Sequence, residues 1–293
     1  MDPMPPAKWE DLVIREAPAS TRRCKAAGRQ VQAAYLTHEL RAPVTSIRLS
    51  LEVLAEQVQD RLEADEKQML SLAIRNTRRL EGLVNDIMDY SKIAAGKMAI
   101  IKEACDARAL VDDAVDALKA AATSKSVKLV KTVDPLLPRC AAESRRVVQV
   151  LINLLSNAIK YTPARGSVRV SVGEGRREHA GTLLFKVKDS GCGIAAEELE
   201  KIFGMFEQAS HDGARKSEGT GLGLTLARAM VGLHRGRIWA ESWKGGGATF
   251  CFTIPIASID LPRRIEAYAQ PLEFSGLLAE FSRRFNAVIA LFV

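Results

Sequence analysis

The sequence predicts two folded parts of different class, an antiparallel helical hairpin followed by a two-layer α/β sandwich. Two runs of apolar residues with heptad spacing predict the hairpin, and alternating helices and short strands joined by Gly-rich turns predict the sandwich. The pattern changes near Ala95 and Gly96, which indicates a linker. The predicted divisions are a loose leader (1–23), the hairpin domain (24–95), the linker (96–104), the α/β domain (105–257) and a C-terminal extension of unknown role (258–293).

The apolar positions of the hairpin are spaced alternately by four and three residues on both helices. One hairpin cannot cover both apolar seams, so a second copy is expected to complete a four-helix bundle. The sequence therefore predicts a homodimer. The seam residues are Leu40, Val44, Ile47, Leu51, Leu54 and Val58 on the first helix, and Met69, Ala73, Asn76, Leu80, Leu83, Ile87 and Tyr90 on the second.

The α/β domain is predicted from changes of hydrophobic period between helical and strand-like segments. A strongly amphipathic segment, residues 144–161, is the clearest of its helices. The other predicted elements are helices at 106–122 and 221–234 and strands at 127–133, 167–172, 182–188, 237–241 and 248–254.

Composition excludes several classes of function. Lys and Arg number 42 against 35 Asp and Glu, an excess of 42 − 35 = 7 that suits acidic ligands but is too dispersed for nucleic acid. No run approaches the roughly 18 apolar residues that cross a bilayer, and the N-terminus lacks the apolar core of a signal peptide. The five cysteines show no metal-binding spacing. We therefore expect a cytoplasmic protein without membrane insertion or a nucleic-acid partner.

A histidine on the first helix could act as a nucleophile. With Leu40 at heptad position d, His38 and Glu39 occupy the solvent-facing positions b and c. Neutral imidazole can attack an electrophile, and an adjacent carboxylate can orient or accept the ring proton. A surface histidine with no role is the common alternative for a single residue.

Polar residues on one helix and two glycine-rich segments could together bind a nucleotide. Asn153, Asn157 and Lys160 share one face of the helix at 144–161, where they offer oxygen to a hard cation and positive charge to phosphates. Asp189 ends a strand before Gly191 and Gly193, and its carboxylate could accept from an amine such as that of adenine. Each feature alone is also typical of a solvent-exposed face or an ordinary turn. The second segment, a possible phosphate loop at the start of a helix, comprises Gly219, Thr220, Gly221, Leu222, Gly223 and Leu224.

Five segments, in order, resemble the motifs of bacterial two-component sensor histidine kinases. The segment from Tyr35 to Pro43 resembles their H-box, and NLLSNAIKYTP, DSGCGI, IFGMFEQ and GTGLGL resemble their N, G1, F and G2 boxes. The resemblance covers roughly residues 25–256. It implies the ATP-binding sandwich shared with gyrase, Hsp90 and MutL, following the dimerisation and phosphoacceptor hairpin.

The resemblance implies roles for individual residues. His38 would be phosphorylated with Glu39 as its general base, and Asn157 would ligate Mg²⁺. Arg215 or Lys216 could touch the γ-phosphate, and the sequence does not choose between them. The remaining ATP-binding residues would be Asn153, Lys160 and Tyr161 (phosphates and sugar), Asp189 with Gly191, Gly193 and Ile194 (adenine), Phe203 in a lid, Gly219 to Leu224 (triphosphate), and Thr249 (adenine, through water).

The implied function is autophosphorylation with Mg-ATP, then transfer to an aspartate in the receiver domain of a response regulator. A separate sensor protein could supply the input signal. Same-fold ATPases that do mechanical work and a non-catalytic scaffold are the alternatives. Ala42 departs from the family, which carries Thr or Asn there to align the water that dephosphorylates the regulator, so we expect weak phosphatase activity.

Overall fold

The computed structural model describes residues 40–58, 60–207 and 221–258, and the backbone of residues 264–267. The predicted leader, His38, Glu39, Gly219, Thr220 and the lid cations Arg215 and Lys216 lie outside the described residues.

Two helices form the hairpin. Helix α1 comprises residues 40–58 of the described chain, and α2 spans Ala64–Ala94. The first turn of α2 is capped because the amide of Glu63 donates to the carboxylate of Glu66 at 2.9 Å. The helix ends before Gly96, whose φ of 63° suits glycine and stops the helix.

Charged and polar side chains connect α1 and α2. Arg48 of α1 lies 2.8 Å from Glu81 of α2, and Arg78 of α2 lies 2.8 Å from Glu52 of α1. Within α1, Arg48 also lies 2.7 Å from Glu52. The hydroxyl of Thr45 donates to Glu81 at 2.8 Å. Several predicted seam residues are exposed in the single hairpin. They are Leu40, Ile47, Leu54, Met69 and Leu80.

The sandwich places three helices on one face of a five-stranded sheet. The helices are α3 (Ala107–Ser124), α4 (Ser144–Tyr161) and α5 (Gly223–Leu233). The strands are β2 (Lys128–Val133), β4 (Ser167–Glu174), β5 (Thr182–Asp189), β6 (Ile238–Ser242) and β7 (Ala248–Pro255). They lie in the order β2-β4-β5-β7-β6, with β2 and β4 parallel and the other neighbours antiparallel.

A second sheet corrects the predicted linker and extension. Strand β1 (Ala99–Cys105) pairs antiparallel with β3 (Cys140–Ala142) on one side and with β8 (Arg264–Ala267) on the other. Most of the linker predicted at 96–104 is therefore a strand, and part of the extension joins the same sheet. The sequence hides these strands because β3 and β8 are short and β1 contains charged residues within its apolar run.

The sandwich encloses a closed apolar core. Leu151, Leu154 and Leu155 of α4 are fully buried, and Phe185 of β5 stacks on Phe252 of β7 with ring centroids 4.6 Å apart. Because the apolar stripe of α4 faces this core, its polar side chains must lie on another face of the helix. No helix in the described part of the chain is both long enough and apolar enough to cross a membrane.

Candidate nucleotide-binding site

The structure brings most of the predicted nucleotide residues together in one cleft. The cleft lies between the polar face of α4, the end of β5 and the start of α5. The predicted residues that line it are Asn153, Asn157, Lys160, Tyr161, Asp189, Gly193, Ile194, Gly221, Gly223 and Leu224.

Helix α4 supplies the polar wall. The side-chain amide of Asn153 donates to the backbone oxygen of Gly223 at 3.1 Å, which ties α4 to the first residue of α5. The ammonium nitrogen of Lys160 lies 4.8 Å from the centre of the Tyr161 ring. The side-chain oxygen of Asn157, one turn after Asn153, is a hard donor of the kind that Mg²⁺ prefers, so the residues present fit the expected ion.

Lys125, which was not singled out from the sequence, stabilises the end of α4. Its ammonium donates to the backbone oxygens of Ile159 and Lys160 in the last turn, where helix carbonyls have no partner within the helix. Burial, followed by the nearby charge of Lys160, lowers the pKa of Lys125. This contact holds the turn that carries Lys160 and Tyr161.

Asp189 is a buried carboxylate at the end of β5, with 6% of its surface exposed. Its Oδ1 accepts from the backbone amides of Gly191 at 2.8 Å and Ala248 at 3.2 Å. Burial raises the pKa of Asp189, and the two amides oppose the rise. No described residue donates to Oδ2, so this oxygen can accept a hydrogen bond from a ligand.

Glycines in the loop after β5 and in the turn between β6 and β7 permit close contact between these two segments. A side chain at Gly193 would overlap the backbone oxygen of Trp243, and one at Gly247 would overlap the backbone oxygen of Asp189. Both glycines also have positive φ angles, of 74° and 75°. Gly191, whose amide holds Asp189, does not line the main cleft. These glycines therefore shape the loop that presents Asp189.

Ser242 fastens this loop and was not predicted. Its hydroxyl accepts from the amide of Ile194 at 2.8 Å and donates to the backbone oxygen of Gly247 at 2.7 Å. Ile194 is thereby fixed beside the cleft.

Thr249 is a correction to the predicted site. Ala248 and Phe250 line the cleft, whereas Thr249 does not. Successive side chains of a strand point to opposite faces, so the residue between Ala248 and Phe250 faces away from the helices and the cleft. The amide of Ala248, rather than the hydroxyl of Thr249, contacts Asp189.

Phe203 and Leu222 support the cleft from beneath instead of lining it. Phe203 is 6% exposed and meets the ring of Phe250 edge-on at 6.3 Å, while Leu222 is 1% exposed. Ile202, next to Phe203, does line the cleft. The predicted lid residue is therefore part of the core under the site.

The hairpin also reaches the cleft. Asp86 of α2 is one of the lining residues. One turn later, Asp89 forms a salt bridge with Arg146 of α4 at 2.8 Å and accepts from Gln149 at 3.4 Å. No sequence motif pointed to Asp86, because it lies far from the other cleft residues along the chain.

Two family models match the chain. The model of the His Kinase A (phospho-acceptor) domain matches residues 29–96, and that of the histidine kinase-, DNA gyrase B- and HSP90-like ATPase matches residues 142–258. The adaptive-response sensory kinase SasA of Synechococcus sp. (strain JA-3-3Ab) is 32% identical over 263 residues, covering 87% of this chain and 68% of SasA. The chain belongs to the sensor histidine kinases of two-component signalling.

Other similarities agree with this assignment. The non-motile and phage-resistance protein of Caulobacter vibrioides is 38% identical over 230 residues, which cover 78% of this chain but only 27% of that protein. Full-length ShkA, solved in complex with AMPPNP, matches with a TM-score of 0.63 at 25% identity, over 82% of this chain and 47% of ShkA. The predicted family and fold class are confirmed, and no comparison favours a mechanical ATPase or a scaffold.

Proposed function

We propose that this chain phosphorylates its own His38 with Mg-ATP and passes the phosphoryl group to an aspartate in the receiver domain of a response regulator. The observation that carries the proposal is the single cleft that joins Asp189, Asn157, Lys160 and the start of α5. These groups match the three parts of the substrate, which are a base with an exocyclic amine, a metal ion and a chain of phosphates.

ATP binding follows from the chemistry of the cleft walls. Asp189 Oδ2 accepts from the adenine amine, while Ile194 and Phe250 offer apolar contact to the ring. The phosphates lie toward Lys160 and the first turn of α5, where backbone amides have no partner within the helix. Asn157 would hold Mg²⁺ through its amide oxygen. The ion, when bound, neutralises part of the charge that develops on the phosphates.

The transfer itself requires positioning more than covalent chemistry by the protein. A ring nitrogen of His38 attacks the γ-phosphorus, the bond to the β,γ-bridging oxygen breaks, and ADP leaves. Glu39 accepts the ring proton. The phosphoryl group then moves from the imidazole to a carboxylate oxygen of the regulator. Because the acceptor belongs to the hairpin domain and ATP binds in the sandwich, we propose that the sandwich moves relative to the hairpin, with the turn at Gly96 as the hinge.

A second copy of the chain covers the exposed apolar residues of the hairpin. Ile47 is 53% exposed and Met69 is 70% exposed, although both belong to the heptad seams. Ion pairs connect the two helices of one hairpin, and the exposed seam residues remain available for another hairpin. The proposed assembly is a homodimeric four-helix bundle. We also propose that the kinase acts in the cytoplasm and receives its signal from a separate sensor protein.

Incubation of the full chain with γ-labelled ATP tests the proposal. We expect label that is lost in acid but retained in alkali, as phosphohistidine requires. His38→Gln should abolish the label and still bind nucleotide, whereas Asn157→Ala should lose both. His179→Gln is the matched control, because His179 stacks on Trp239 at 4.8 Å and does not line the cleft. Label that persists in His38→Gln would contradict the proposed acceptor.

Mixed dimers reveal the direction of transfer. A dimer of His38→Gln with Asn157→Ala should regain label only if ATP on one protomer phosphorylates its partner. If both parent variants are folded and the mixture remains unlabelled, transfer occurs within one chain.

A further inference from the structure

One carboxylate in the nucleotide cleft comes from the hairpin and not from the sandwich. Asp86 lies on α2, yet it lines the same cleft as Asn153, Gly223 and Leu224. Residues three apart on a helix share a face, so Asp86 and Asp89 point to the same side of α2. Asp89 contacts Arg146 near the start of α4, while Asp86 lines the cleft together with Asn153 and the first turn of α5.

Asp89 explains why Asp86 is held there. The salt bridge from Asp89 to Arg146 is largely sheltered, with 16% and 20% of the two side chains exposed. Gln149 donates to the same carboxylate oxygen of Asp89. These contacts fix α2 against α4, and Asp86 enters the cleft as a consequence of that docking.

Asp86 itself is not neutralised. Among the described residues, none forms a hydrogen bond or an ion pair with its carboxylate. Burial, followed by the charge of Asp89, raises the pKa of Asp86 to about 6. A poorly hydrated carboxylate without a cationic partner is unfavourable, and any further negative charge brought nearby makes it more so.

We propose that Asp86 makes nucleotide binding in this cleft depend on the divalent cation, by repelling free ATP more strongly than Mg-ATP. Free ATP carries two more negative charges than its Mg²⁺ complex and must place its phosphates near the start of α5. Asp86 thus makes the cleft prefer the Mg²⁺ complex of ATP to free ATP. This inference rests on the proposed function.

Equilibrium binding of a fluorescent, non-hydrolysable ATP analogue to the full chain tests the inference. Titrations with Mg²⁺ and with EDTA give two dissociation constants. The constant in EDTA divided by the constant in Mg²⁺ measures how strongly binding depends on the cation. Asp86→Asn keeps the size of the side chain and removes its charge. We expect the ratio to fall at least about fivefold, through tighter binding of the free nucleotide.

Two further variants sharpen the result. Asp65→Asn removes an equivalent charge from the exposed first turn of α2 and should leave the ratio unchanged. Asp89→Asn weakens the contact with Arg146, so it should lower the ratio as Asp86→Asn does, but less.

The failures can be told apart. If wild type binds the analogue but Asp86→Asn shows the same ratio, the inference is overturned while the proposed function stands. If the ratio falls because the Mg²⁺ complex binds more weakly and free nucleotide is unaffected, repulsion is overturned and Asp86 is instead a ligand of the metal. If wild type binds neither form, both proposals fail.

Discussion

The hairpin and the sandwich bury their apolar residues in different ways. The sandwich closes its core within one chain, where Phe185, Phe252 and Leu154 are fully buried. The hairpin uses ion pairs such as Arg48–Glu81 between its helices and leaves Ile47 and Leu80 exposed. We therefore expect the sandwich to keep its core without a second copy, whereas the proposed dimer would cover the exposed seams of the hairpin.

The largest expected effect comes from breaking the core of the sandwich. Phe252→Ala removes a fully buried ring that stacks on Phe185, and such truncations cost about 3–5 kcal/mol. Denaturant unfolding monitored by nucleotide-analogue fluorescence should show this loss for the sandwich. Helical circular dichroism and dimerisation of the hairpin should survive. Leu136→Ala, at a residue that is 90% exposed, is the control that should change little.

A charge in the exposed seam should instead weaken the proposed dimer of hairpins. Ile47→Glu places two carboxylates, one from each copy, in the proposed dimer interface, at a cost of at least about 3 kcal/mol or roughly a hundredfold in the dissociation constant. Light scattering across a concentration series measures the shift to monomer. Ser50→Glu adds the same charge at another exposed position of α1. Equal dissociation by both variants would show that the seam is not the interface.

His234 should make the stability of the sandwich depend on pH. This buried histidine accepts from the amide of Glu143 at 3.0 Å through Nε2, while Nδ1 lies 2.7 Å from the backbone oxygen of Met230. The neutral ring satisfies both contacts. Burial is the main cause that lowers its pKa from 6.5, with Lys102 and Arg146 adding to the effect.

The direction of this dependence follows from linkage. Below pH 6.5 the unfolded chain binds a proton that the folded chain still excludes, so the free energy of unfolding falls as the pH drops. One group contributes at most about 1.4 kcal/mol per pH unit. Denaturant titrations between pH 7.5 and 5 should show a smaller loss for His234→Gln, which cannot titrate. An identical slope in both proteins would exclude this role for His234.

Asp86 should act in the opposite direction wherever the hairpin and sandwich are docked. Its pKa is raised to about 6, so the folded chain takes up a proton before the unfolded chain does. Protonation relieves an unfavourable buried charge, and the docked state gains stability as the pH falls toward 5. Comparing His234→Gln in the presence and absence of Asp86→Asn separates the two effects.

The smallest structural effect is expected at Ala42, an exposed residue of α1. Ala42→Thr should change the free energy of unfolding by no more than about 0.5 kcal/mol and leave autophosphorylation unchanged. The added hydroxyl can hold a water, which alanine cannot. Loss of phosphate from purified phospho-regulator, with ADP present, should therefore be faster with the Thr variant. Rapid loss with wild type that Thr does not increase would contradict this prediction.

Elements with a strong local pattern could be predicted from the sequence. Helix α4 begins at Ser144 and ends at Tyr161 as predicted, because its apolar and polar residues follow the helical repeat throughout this segment. Strands β4, β5 and β7 lie within two residues of their predicted ends, since each alternates or runs apolar between turn residues. Asn157 could be singled out because it lies on the polar face of α4, and Asp189 because it ends β5 just before two glycines.

Contacts between distant segments were decided only by the tertiary structure. The pairing of β1 with β3 and β8 depends on partners far along the chain, so the strand resembled a linker. Thr249 was predicted in the site, whereas its neighbour Ala248 lines the cleft. A shift of one residue reverses the face of a strand, and the local sequence does not determine which face meets the helices. Asp86 enters the cleft because α2 docks on the sandwich, through the pair of Asp89 with Arg146 and through Tyr90 and Ile93 in the shared core. Local periodicity specifies helices and strands, whereas the docking of one element on another depends on side chains that no local pattern connects.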